Sequence, residues 1–150
     1  MPFTAGQKLR ASDLNKIQPV EYSGQQSGNV SNLQAITTSQ VDCLNCFVTF
    51  STSTAATCKI VADWDVDVST GGAAVAVGRV VVDGSTIGDE AHYSIVTTGS
   101  RVTMSQSWRF VLSGSGAHTV KLAVLKSAAA GTVNCDDQHT KFTLTVTEVL

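Results

Sequence analysis

The stretch Cys58-Lys59-Ile60-Val61-Ala62-Asp63-Trp64-Asp65-Val66-Asp67-Val68 decides the fold. Cys58, Ile60, Ala62, Trp64, Val66 and Val68 form one apolar set, and Lys59 with three aspartates falls in the other. Successive side chains of a strand point to opposite faces, so period two predicts a β-strand with one face in a core. Downstream, Ser69-Thr70-Gly71-Gly72 turns the chain, and residues 75–82 are almost all apolar, as in a strand covered on both faces. Asp83-Gly84 is a hairpin signal.

The same pattern recurs along residues 41–150. Short strands are predicted at 47–50 and 93–96. Val102, Met104, Gln106, Trp108, Phe110 and Leu112 form one face of a long strand, which Ser113-Gly114-Ser115-Gly116 ends. His118, Val120, Leu122 and Val124 line the next strand, and Phe142, Leu144 and Val146 line the last. About eight strands with no convincing helix predict an all-β domain, an antiparallel β-sandwich or jelly roll.

Residues 1–40 read differently. They carry a net charge of +1 and few large apolar side chains. Ser12 is placed to cap a short helix with Leu14 and Ile17 on one face, before Pro19 ends it. The Ser, Gly, Gln, Asn and Thr of 23–40 predict an extended arm or linker. The expected division is therefore an N-terminal arm over 1–40 and a β domain over 41–150.

Composition narrows the function. The 16 Ser, 18 Thr and 20 Val make up about a third of the 150 residues, while charged residues are 15% and the net charge is −2. Thr and Val suit strands, and Ser gives polarity without charge. A near-neutral chain lacks the basic face of a non-specific nucleic-acid binder. No apolar run reaches the ~18 residues of a membrane span, and Met1 to Arg10 have no apolar core of a secretory signal.

Candidate chemistry is sparse. Cys43, Cys46, Cys58 and Cys135 are disulfide candidates of open pairing, or small buried thiols. Cys43-x-x-Cys46 has no second pair or short-spaced His pair for zinc, and it leads into a strand where a redox pair would sit at a helix start. Asp63, Asp65 and Asp67 fall on one strand face and read as a solvated row; Val68 and Ala74 stand where a calcium loop needs Gly and Glu. His92, His118 and His139 are scattered, and no Gly-x-Ser-x-Gly nucleophile elbow occurs. No cofactor and no enzymatic activity are expected, with a cell-wall hydrolase the least favoured class. Gly71, Gly72, Gly84, Tyr93 and Ser115 are candidate ligand contacts on outer loops.

Phe3-Thr4-Ala5-Gly6-Gln7-Lys8-Leu9-Arg10-Ala11-Ser12-Asp13-Leu14-Asn15 resembles the opening of many structural proteins of tailed bacteriophages, especially of actinobacterial hosts. There a TAG-x-x-L-x-A-x-x-L-N start begins a virion-attachment arm. Arg101-Val102-Thr103, Trp108-Arg109-Phe110, Gly116-Ala117-His118-Thr119-Val120-Lys121-Leu122 and Thr143-Leu144-Thr145-Val146-Thr147-Glu148-Val149 resemble the C-terminal half of small phage minor tail or head-fibre proteins. The resemblance implies a trimeric jelly roll of the tumour-necrosis-factor type. It also implies a virion location, with capsid or tail proteins as partners of residues 1–40. Phe3, Leu9, Leu14 and Ile17 are then the anchoring candidates, and Val75, Val77 and Val81 candidates for a trimer seam. A host-surface glycan is the implied ligand if the loops serve as an adhesin.

Overall fold

A computed structural model describes residues 11–25, 33–136 and 139–149. It contains one short helix, α1 (Ala11–Lys16), and ten strands: β1 (Val20–Gln25), β2 (Leu33–Ala35), β3 (Val41–Thr52), β4 (Ala56–Thr70), β5 (Val75–Val82), β6 (Ser85–Ser94), β7 (Ser100–Leu112), β8 (Gly116–Lys126), β9 (Thr132–Asp136) and β10 (Lys141–Glu148). All the strand pairs are antiparallel.

The alternation at 58–68 sits at the centre of β4, whose even-numbered residues from Ala56 to Val68 are all buried in the core. Its neighbours are β7 along one side and β10 then β9 along the other. The first sheet thus runs β1-β10-β4-β7, and the second β3-β8-β5-β6. Four strands over four in this order make a jelly roll, a double-sheet solution to exposed edges. β2 and β9 form a small extra pair at the end of the first sheet.

Trp64 holds the two sheets together. It is fully buried, donates its indole N–H to the Ala123 carbonyl across the sandwich at 3.1 Å, and meets Trp108 edge to face at 5.8 Å. Such an aromatic pair adds about 0.5–1.5 kcal/mol beyond area burial. On β5, Gly78 leaves room for this indole, since a Cβ there would lie 2.6 Å from the ring. Asp83 and Gly84, at φ 50 and 83, form the tight turn between β5 and β6, and the second position favours a residue without a Cβ.

The sheets reach further toward the N-terminus than the sequence pattern suggests. β1 pairs with β10 over Val20↔Val146 to Gln25↔Lys141, and β2 pairs with β9. Residues 20–25 and 33–35 therefore belong to the sandwich, which corrects the expected boundary at residue 40. β1 carries no clean apolar alternation; the unpaired edge of β10 recruits it, and Tyr22 stacks on Phe50 at 4.9 Å. The strand expected at 47–50 is part of the longer β3, whereas the one expected at 93–96 overlaps only the last two residues of β6, and Ile95 and Val96 lie beyond it.

Candidate functional site

β4 changes partner midway. Its ladder with β10 ends at Asp63↔Lys141, and its ladder with β9 begins at Val66↔Cys135. Thr140, in the turn just before β10, fills the gap: the Asp65 N–H donates to its hydroxyl at 3.1 Å instead of to a strand. The Thr140 hydroxyl in turn donates to the Asp136 carbonyl at 2.9 Å.

Asp65 is consequently buried and not part of a solvated row. Its carboxylate accepts from Arg101 Nε at 2.9 Å and Nη2 at 3.2 Å. The same guanidinium pairs with the buried Asp136 and donates to His139 Nδ1 at 2.7 Å. Arginine only donates, so this His139 nitrogen accepts. The hydrogen bond to Asp65 holds Arg101 charged above its already high value, against the opposing effect of burial. Asp63 behaves differently, accepting from the Ser105 hydroxyl at 2.6 Å near the surface. Both buried carboxylates are engaged by one guanidinium, so they fasten the turn and do not face an open cleft. Among the described residues, no group of three or more His, Cys, Asp or Glu is arranged to hold a metal ion.

All four cysteines are buried. Three converge on the same turn: Cys135 Sγ is 3.1 Å from the Thr140 hydroxyl, Cys46 Sγ donates to the Thr140 carbonyl at 3.0 Å, and Cys43 Sγ is 4.0 Å from Cys135 Sγ. The convergence depends on a bulge in β3 between Asp42 and Phe47, where Asn45 has φ 55. Cys58 lies apart, and burial pushes its thiol from 9.0 to about 11.

The outer face of the second sheet carries ion pairs. Arg79 binds Glu90, which also accepts from His92 at 3.0 Å, and Lys121 binds Asp42 at 2.6 Å. The His92 bond lowers the Glu90 carboxyl below the ordinary range despite some burial, with Arg79 adding to the effect. At Asp83 burial works upward, but hydrogen bonds from His118 and the Thr119 N–H outweigh it and lower the carboxyl. His118 thus ties the β5–β6 turn to β8, and it packs its ring against Phe50.

The candidate ligand contacts do not form one surface. Gly71 and Gly72 close the end of the sandwich where β4, β6 and β8 finish; their N–H groups donate to the Thr98 hydroxyl and the Ile95 carbonyl. Gly84 and Ser115 lie at the opposite end, beside the start of β8. Tyr93 is half-buried on β6 and packs against the core instead of standing on a loop. Of the anchoring candidates, Leu14 is exposed on α1, and Ile17 follows it half-buried; Phe3 and Leu9 lie outside the described residues. Val77 and Val81 are already buried within the single chain and Val75 half-buried, so these three do not present an open apolar seam.

No family model matches the sequence, and no curated protein matches it. Solved structures do. A chain of infectious bursal disease virus, Gx strain, is 13% identical at a TM-score of 0.50, covering 85% of this chain and 33% of that one. A chain from the icosahedral particle of the same virus is 12% identical at 0.51, covering 86% and 31%. The dimeric latent PorU of Porphyromonas gingivalis is 14% identical at 0.48, covering 87% and 13%. At such identities the likeness is one of fold, and the chain spans about a third of the length of the two viral chains.

Proposed function

We propose that this chain is a non-enzymatic structural protein of a tailed-bacteriophage virion, a head fibre, decoration or minor tail protein. The observation that carries the reading is the four-over-four strand order, together with the fold it shares with viral particle chains. The TAG-x-x-L-x-A-x-x-L-N start supports the phage assignment and an attachment role for the N-terminal arm. Since β1 and β2 are built into the first sheet, attachment falls to the residues before Val20, where Leu14 stands exposed on α1. The β domain then projects as a homotrimer. Its outer faces suit display: Thr143, Thr145 and Thr147 alternate along β10, and charge is held in pairs. The protein is made in the host cytoplasm and is extracellular in the released particle.

A host-glycan adhesin is the alternative use of the same module. Its candidate loops are divided between the two ends of the sandwich, so at most one of the two sets serves a given ligand. Incubating the purified chain with host cells and with cell walls separates the readings. The structural reading expects neither saturable binding nor wall hydrolysis, and co-sedimentation with particles that lack the chain. Wall hydrolysis abolished by a point substitution overturns it.

A further inference from the structure

We propose that Cys43 and Cys135 form a disulfide that staples the two sheets together when the chain meets a small-molecule disulfide oxidant. Cys43 is on β3 of the second sheet, Cys135 on β9 of the first, and 92 positions separate them. Their sulfurs stand 4.0 Å apart, so joining them needs an approach of about 2 Å. That movement is small for two side chains beside an edge-strand bulge.

Gln34 aligns the pair. On β2 it is the register partner of Cys135. Its side-chain amide donates to the Asp42 carbonyl at 2.8 Å, and its carbonyl accepts from the Leu44 N–H at 3.4 Å. One residue therefore faces Cys135 through its backbone and grips both neighbours of Cys43 through its side chain. The other cysteines are placed against this pairing. Cys46 directs its Sγ to the Thr140 carbonyl. Cys58 lies eight residues before Val66, the β4 partner of Cys135, or roughly 26 Å along the strand.

The chemistry is two thiol–disulfide exchanges. Opening of the bulge lets Cys43, as thiolate, attack one sulfur of oxidised glutathione, forming a mixed disulfide and releasing one glutathione thiolate. Cys135 then loses its proton to solvent and attacks the Cys43 sulfur, expelling the second glutathione thiolate. Two protein thiols are oxidised and one external disulfide is reduced to two thiols. The reducing cytosol favours the open pair and an oxidising exterior favours the staple. This inference stands on geometry and does not depend on the virion reading.

The test uses the full chain, reduced and then incubated with oxidised glutathione. Remaining thiols are alkylated in denaturant, and the peptides are mapped without reduction. Trypsin leaves Cys43, Cys46 and Cys58 on peptide 17–59 and Cys135 on 127–141. Chymotrypsin cuts after Leu44 and separates Cys43 from Cys46. The expected result is a link between the Cys43 and Cys135 fragments, with Cys46 and Cys58 alkylated. The oxidised chain should also melt about 10 °C above the reduced one, a shift that Cys43→Ala abolishes and Cys46→Ala keeps. A link through Cys46 or Cys58, or four alkylated thiols, overturns the proposal. Mapping of the unsubstituted chain decides even if a variant misfolds.

Discussion

Replacing Arg101 with Met removes the guanidinium that Asp65 and Asp136 share. The two carboxylates are 8% and 4% exposed, and the Arg101 side chain is 45% exposed. Breaking a buried ion pair from one side costs about 3–5 kcal/mol, because the remaining charge stays desolvated. Arg101 is half in water, so solvent reaches the gap it leaves, and the lower end of that range, about 3 kcal/mol, applies. At about 2–4 °C per kcal/mol for a domain of this size, Arg101→Met should melt roughly 6–12 °C early. Arg101→Lys should fall between, since one ammonium cannot repeat the two-oxygen grip on Asp65. Adding Asp65→Asn and Asp136→Asn to Arg101→Met should recover part of the loss, because no uncompensated charge remains. Urea titration of the four proteins at pH 7 measures this directly. A loss below about 1 kcal/mol for Arg101→Met, or a triple variant weaker than the single one, refutes the reasoning.

Gly78→Ala forces a Cβ to within 2.6 Å of the buried Trp64 ring and should cost about 1–3 kcal/mol, read as a lower urea midpoint; an unchanged midpoint contradicts that packing. Asp83 and Glu90 have carboxyls lowered in the fold, so the unfolded chain binds more protons near pH 4. Their contribution should be complete above the ordinary carboxylate range and vanish as pH falls through their lowered values, and His118→Phe with His92→Gln should flatten that acid limb. Cys58 titrates at about 11 in the fold against 9.0 ordinarily, so its contribution is full below pH 9 and lost toward 11. Cys58→Ala should remove that part of the alkaline loss in a pH series of melts.

The strand alternation at 58–68 is local, so it was legible: each second residue reports the face it occupies, and every even-numbered residue from Cys58 to Val68 is buried. Asp65 was not legible as a buried residue. Its burial comes from the exchange of β10 for β9 beside it, and no pattern within β4 announces which turn will cover which position. Arg101, 36 positions away, becomes its partner only through the β4–β7 register. Likewise β1 is a strand because an edge of β10 was available, and Val-Glu-Tyr-Ser-Gly-Gln taken alone reads as linker. The cysteines were visible as candidates, but their convergence depends on the β3 bulge and on Gln34. Gly71 and Gly84 were readable as turns; the end of the sandwich each occupies is set by strand order.

The central claim is that this jelly roll is a fixed component of a particle. Quantitative mass spectrometry of purified phage, with antibody labelling to locate the chain by electron microscopy, tests it most directly. The account predicts a constant copy number per particle, in a multiple of three, at one defined site, lost when the residues before Val20 are deleted. A chain absent from particles, or monomeric in solution with no particle association, contradicts it.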